Sequence, residues 1–191
     1  MKYFITVVVV FLLVAGCSRK DENDSVSQSV ITATDLGKDA NYFSNLYGPA
    51  KSQKNVSQYD FPIPSVGHLI RLNGPFIVQQ YASGKLSVTA LFSQTSPQAI
   101  WVKYNLPDPW TQDQIKAALG AFDKNWTVID QSLAMTFVIQ NRAPVVYQSD
   151  SKILAYKTMF NELMIYSPAL FQDLRQKVAD EEQQKRAVPK F

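Results

Sequence analysis

Two stretches of this chain superimpose on one another, and that limits the architecture more than any other feature. When Asn73–Phe92 is laid over Asn141–Phe160 without a gap, Asn, Val, Gln, Ser, Leu and Phe coincide at 73/141, 78/146, 80/148, 83/151, 86/154 and 92/160. With a shorter loop allowed, Ile100-Trp101-Val102 falls on Leu163-Met164-Ile165, and Pro107 on Pro168. Each half also opens with a helical pattern closed by glycine, at Gly48 and Gly120. The simplest account is an α+β fold made by tandem duplication of a helix plus a three-stranded antiparallel sheet, with a C-terminal helix. The units would be 35–107 and 108–191, each too small to bury its own apolar face. The alternative is chance similarity between two β-rich segments.

The local patterns fill in this frame. From Asp35 to Tyr47 the residues Tyr42, Phe43, Leu46 and Tyr47 form one apolar stripe, which predicts a helix ended by Gly48-Pro49. Lys51 to Ser57 reads as polar loop, and Phe61-Pro62-Ile63-Pro64 as extended chain, because proline bars its predecessor from the helical region. Phe76 to Tyr81, a turn at Ala82-Ser83-Gly84, and Lys85 to Phe92 form a hairpin. Leu86, Val88 and Ala90 alternate with Lys85, Ser87 and Thr89, so the sheet is expected to have one wet face. Ala99 to Tyr104 is the next strand.

The second half starts with the clearest helix signal. Thr111 and Gln114 make a capping box, and Trp110 and Ile115 a hydrophobic staple, ahead of a helix that runs to Leu119. Strands are expected at Trp126–Ile129, Met135–Ile139, Val145–Tyr147, Ile153–Phe160 and Leu163–Tyr166. A final helix over Leu170–Arg186 carries the seam Leu170, Phe171, Leu174 and Val178, and its charged end is a solvated one.

The N-terminus concerns location. Lys2 precedes an apolar run from Ile5 to Val14, followed by small Ala15 and Gly16, which is the layout of a signal peptide over 1–16. The run is shorter than the ~20 residues a spanning helix needs. Val14-Ala15-Gly16-Cys17 resembles the lipobox of bacterial lipoproteins. That resemblance implies cleavage between Gly16 and Cys17, a diacylglycerol on the Cys17 sulfur and an acylated amine such as palmitate. A single acyl chain holds a protein only marginally, while two or three make a lasting anchor. Ser18 to Thr34 is polar and aperiodic, a tether whose coil would span about 20–25 Å. Ser18, not aspartate, follows the cysteine, which by the same resemblance implies the outer membrane, facing the periplasm, in a Gram-negative organism.

With one cysteine, the chain can make no internal disulfide and no cysteine-based zinc site. The helix end Leu46-Tyr47-Gly48-Pro49-Ala50 and the helix start Trp110–Leu119 resemble those of secreted bacterial proteins built from one or two such units. More distantly the layout looks like the small outer-membrane-assembly lipoproteins (SmpA/OmlA type) and β-lactamase inhibitor protein. Those families bind proteins, and the resemblance lends no catalytic residue.

Catalytic equipment is sparse. His68 is the sole histidine, and one histidine builds neither a His-rich metal site nor, alone, a triad. Asp108, Asp113, Asp123, Asp130, Asp150 and Glu162 are scattered, with no spacing that pairs them for glycosidic chemistry. No phosphate-binding glycine loop occurs, so no cofactor or metal is expected. The net charge of +3 includes no basic stripe of the kind nucleic acid requires. Trp101, Tyr104, Trp126 and Tyr156 are the aromatics singled out as an interaction surface, against the alternative that such residues pack in the core. The sequence therefore reads as a lipid-anchored cell-envelope protein held to the membrane by Cys17. Its globular part would be a non-catalytic protein-binding or scaffold module, using a sheet face or edge strand toward an envelope protein. The rival reading is an envelope hydrolase, or an inhibitor of one, using His68 and nearby acids.

Overall fold

A computed structural model describes residues 35–63, 69–120, 122–130 and 144–187. In chain order the elements are α1 (Ala40–Tyr47), β1 (Ser52–Pro62), β2 (Leu69–Ser83), β3 (Leu86–Ser93), β4 (Ala99–Asn105) and α2 (Gln112–Leu119), then β5 (Thr127–Asp130), β6 (Val145–Gln148), β7 (Leu154–Lys157), β8 (Glu162–Tyr166) and α3 (Pro168–Ala187). The eight strands form one antiparallel sheet in the order β1-β2-β3-β4-β8-β7-β6-β5. The order runs up through one half and back down through the other. The halves join where β4 pairs with β8, from Trp101↔Tyr166 to Asn105↔Glu162.

Both faces of the sheet are covered. On one face α1 and α2 deliver Phe43, Tyr47, Ile115, Ala118 and Leu119 onto Tyr81, Val88, Ala90, Val102, Tyr104, Tyr147 and Ile165. On the other, Leu170 and Leu174 of α3 meet Leu91, Trp101, Val146, Leu154, Met164 and Tyr166. The far half of the β1–β2 ribbon curls over this second face as well. Only Phe76–Ser83 of β2 pairs with β3, so Leu69–Asn73 pairs with β1 alone and is free to bend. The register slips between Val56 and Gln58, where two steps of β1 oppose three of β2 from Phe76 to Asn73, so the extra residue lies in β2. Gly74 supplies the bend in β2, since a Cβ there would lie 2.6 Å from the Phe76 nitrogen. The ribbon thereby buries Phe61 and Ile70 against Trp101, and the Tyr166 hydroxyl donates to the Pro62 carbonyl at 2.6 Å.

This arrangement corrects several expectations. The face carrying Ser87 and Thr89 is not wet: Thr89 is buried and Leu91 beside it is fully so, because the curled ribbon and α3 cover that side. Lys51–Ser57 is not loop, since Ser52 begins an edge strand whose polar residues face solvent on its exposed half. Among the described residues four strands, not three, follow each of the first two helices. α1 starts at Ala40 because the Asp39 side chain caps it, accepting from the Tyr42 amide at 2.9 Å. The Leu86/Leu154 coincidence also fails in space, for Leu86 lies on the helix face and Leu154 on the opposite one. Ser83 pairs with Leu86 across a two-residue turn, whereas Gln148 pairs with Leu154 across Ser149–Ile153. An odd difference in loop length flips every following side chain to the other face. Both turns place a residue in the left-handed region, Gly84 at φ 58° and Lys152 at φ 66°.

Other expectations hold. The 76–92 hairpin, the strand at Ala99–Tyr104, the Thr111–Gln114 capping box and the C-terminal helix all lie where the pattern put them. The predicted strand at Met135–Ile139 lies outside the described residues.

Candidate functional site

The helix side of the sheet holds two clefts, one at the start of each short helix. The first, of about 440 Å³, lies between Asp39, Ala40 and Asn41 of α1, Ile77 and Gln79 of β2, Phe92 of β3 and the loop Ser93–Pro97. Its loop is tied internally: the Ser93 and Thr95 hydroxyls lie 2.7 Å apart, and the Gln94 amide donates to the Pro75 carbonyl at 3.2 Å. On the β2 wall, Gln79 donates to the Gln53 carboxamide oxygen at 2.6 Å and accepts from the Tyr81 hydroxyl. Both volumes fall in the range of small-ligand or side-chain pockets.

The second cleft, of about 360 Å³, is bounded by Trp110, Thr111, Gln112, Asp113 and Ile115, with Val145 and Lys157 as its sheet wall. Here the Thr111 hydroxyl accepts from the Gln114 amide at 3.2 Å while the Gln114 side chain accepts from the Thr111 amide at 2.8 Å. The capping box thus consumes donors that would otherwise point into the cleft. Ile77 and Val145 occupy overlaid positions of the two halves, and each cleft opens beside a helix cap, Asp39 in one and Thr111 in the other. Their chemistry differs. Lys157, only 2% exposed, brings an ammonium group into the second wall, and burial holds its pKa below the usual lysine range.

Between the clefts, Asp35 is completely buried and joins the start of the body to its centre. Its Oδ2 accepts from the Tyr104 hydroxyl at 2.5 Å and from the Tyr47 hydroxyl. Burial pushes its carboxyl above 3.8, against the pull of these phenols and of Tyr42 and Lys38. The Tyr104 and Tyr47 phenols are held above their ordinary range by their own burial and by the carboxylate. Nearby, Gly37 donates to the Ala99 carbonyl at 2.9 Å and Ala99 to that of Lys38 at 2.8 Å, pinning the strap to the first residue of β4.

The four aromatics expected to form a surface are not brought together. Trp101 and Tyr104 are core residues, 1% and 0% exposed, so they offer no surface. Trp101 and Tyr156 sit on the α3 side of the sheet, Tyr104 and Trp126 on the α1–α2 side. Trp126 and Tyr156 are half-buried, and the Trp126 indole is occupied by the Leu119 and Asp123 carbonyls at 2.8 and 3.0 Å. The physical reason is that a strand inside a doubly covered sheet buries both of its faces, so neither phase is available for recognition.

The acidic residues remain dispersed. Asp123 accepts from the Ser151 amide at 3.1 Å, and the Ser149 and Ser151 hydroxyls, with the Lys124 amide, hold its pKa near 2. Asp150 accepts from Asn125 at 2.7 Å, Glu162 pairs with Lys103 at 3.1 Å, Asp113 lines the second cleft and Asp108 is exposed. Among the described residues no group of three His, Cys, Asp or Glu side chains could hold a metal ion. His68, Gly16 and Cys17 lie outside the described residues. Among those described, no helix is long and apolar enough to cross a membrane.

The sequence reading missed Asp35 and Lys157. Lys157 carried a signal, since it continues the inward phase of Ala155 in β7. Asp35 carried none, because its two phenol partners come from α1 and β4. Compared with protein-family models, curated proteins and solved structures, the chain finds no match.

Proposed function

We propose that this is a bacterial cell-envelope lipoprotein whose body is a non-catalytic protein-binding or scaffold module. Cys17, freed by cleavage after Gly16, carries the lipid that holds it to the membrane. In a Gram-negative cell this is the outer membrane, with the body facing the periplasm. The body is a tandem duplication of a unit of one helix and four strands, in which β4 and β8 seal the two halves edge to edge. The observation that carries the binding reading is the pair of clefts, each opening beside a helix cap and sharing the overlaid wall positions Ile77 and Val145. The second cleft joins a buried cation, Lys157, to the apolar Trp110, Ile115 and Val145 and the polar Thr111, Gln112 and Asp113, a lining that suits a mixed polar and apolar side chain of a partner. Paired pockets suit a partner that presents two side chains, or two copies of one segment, to the helix side of the sheet.

The test is site-specific photocrosslinking in living cells from Asn41 in the first cleft and Gln112 in the second. A shared protein adduct from both positions supports the reading. Absence of any adduct from either, with the protein present and membrane-bound, contradicts it.

A further inference from the structure

One cross-strand pair lines each cleft, and the two pairs correspond. Ile77 pairs with Phe92 in the first cleft, and Val145, which overlays Ile77, pairs with Lys157 in the second. Phe92 is 3% exposed and Lys157 2%, so the place of an aromatic ring in one half is taken by a lysine at the same depth in the other. Packing alone favours the apolar choice, because an ammonium withdrawn from water is costly.

The surroundings of Lys157 combine apolar walls with a helix start. Val145 faces it across the strands, with Cβ atoms about 5 Å apart, and Trp110 and Ile115 continue the apolar lining. At the start of α2 the capping box spends the Thr111 and Gln114 amides. The amides of Gln112 and Asp113 are then the first-turn donors without an intrahelical partner, at the positive end of the helix dipole. Asp113 is exposed at the rim, so its carboxylate opposes a ligand with more than one negative charge. An ammonium has three N–H donors, so a contact within the protein leaves others for a ligand.

We propose that the second cleft receives the C-terminus of a partner polypeptide, its terminal carboxylate on Lys157 and its last, apolar side chain against Trp110, Ile115 and Val145. It rests on the reading of the clefts as protein-binding sites and names what enters one of them. A chain end carries a carboxylate and an apolar side chain on the same Cα, which matches a cation and an apolar wall meeting at one cross-strand pair. An internal aspartate or glutamate brings only one or two methylenes to that wall, and with them two peptide groups that need partners. Capture of a terminal carboxylate is a recurring mode of peptide recognition. The burial that makes Lys157 costly to the fold also strengthens its attraction for the carboxylate. The first cleft, with Phe92 in the corresponding place, has no such preference.

The test uses the full-length lipoprotein in detergent and ligand-observed saturation-transfer NMR. The probes are N-acetyl-Gly-Gly-Leu with a free carboxylate, the same peptide as its C-terminal amide, and N-acetyl-Gly-Glu-Gly amide. The free acid should bind more tightly than the amide by about tenfold to a hundredfold, the worth of one hydrogen bond to a charged group. It should also outbind the glutamate peptide. Lys157→Met should abolish the preference for the acid. Gln112→Glu, an exposed change that a helix start tolerates, should weaken the acid severalfold with thermal melts unchanged. Lys116→Met removes an exposed charge from the same helix outside the cleft and should change nothing. Equal binding of acid and amide, binding of neither, or a preference that survives both Lys157→Met and Gln112→Glu overturns the carboxylate contact. A glutamate peptide that binds as tightly as the free acid overturns the chain-end assignment. A photocrosslink from Gln112 that persists beside any of these results leaves the cleft a protein-binding site with another occupant. No crosslink from either cleft removes that reading and this proposal together.

Discussion

Replacing Tyr104 by phenylalanine tests how the tether is fastened to the body. The substitution changes almost no volume in a fully buried position. It deletes the 2.5 Å bond to Asp35 Oδ2 and leaves that oxygen to Tyr47, beside an Oδ1 with no hydrogen-bond partner among the described residues. A buried hydrogen bond to a charged acceptor contributes about 1.5–3 kcal/mol. For a body of this size, at roughly 2–4 °C per kcal/mol, the melting temperature should fall by about 3–12 °C at neutral pH. The effect should also depend on pH, with a sign fixed by Asp35. Its carboxyl titrates above 3.8 in the folded protein, chiefly because it is buried. Protonation therefore contributes stability that is complete below 3.8 and is lost as the pH rises through the raised folded value. Loss of the Tyr104 donor raises that value further. The variant and the wild type should differ most when Asp35 is ionised and converge in acid. Thermal melts by circular dichroism between pH 7 and pH 3.5 measure this directly. A shift below 1 °C at neutral pH, or a deficit that grows on acidification, would refute the buried-carboxylate account.

The remaining predictions address other parts of the structure. Trp101→Ala should cost about 3–5 kcal/mol in denaturant unfolding, as for a large core aromatic, because Trp101 packs among Tyr59, Phe61 and Tyr166; a stable variant with altered binding would restore its role as a surface residue. Thr111→Ala removes the hydroxyl of the capping box and should cost about 1 kcal/mol, read from the same melts. Asp123 should titrate near pH 2 by NMR, so its contribution to stability persists at ordinary acidities and is lost only as the pH falls from 3.8 toward 2; a value at or above 3.8 would mean that the Ser149 and Ser151 contacts are absent in solution.

How much of this could be read from the chain depended on range. Features written within a few residues were legible: the Thr111–Gln114 box, the turn at Gly84 and the seam of α3. Features created by distant segments were not. β1 opens with polar residues because it is an edge, so it lacks the apolar alternation that marks a strand. Thr89 looks solvated in its own sequence and is buried because the curled ribbon and α3 cover its face of the sheet. Trp101 and Tyr104 were equally ambiguous, since a central strand with two buried faces has the same composition as one with an aromatic recognition face. The repeat was visible as a set of coincidences, but one of them, Leu86 with Leu154, joins opposite faces. The different lengths of the two turns within the overlaid stretches set that phase.

The most direct test of the central reading is intact-mass spectrometry of the native protein extracted from membranes. The account predicts a chain that begins at Cys17 and is heavier than its amino-acid sequence by a diacylglycerol and an amide-linked acyl chain. A mass equal to that of the bare sequence, whether starting at Met1 or at an unmodified Cys17, would contradict it.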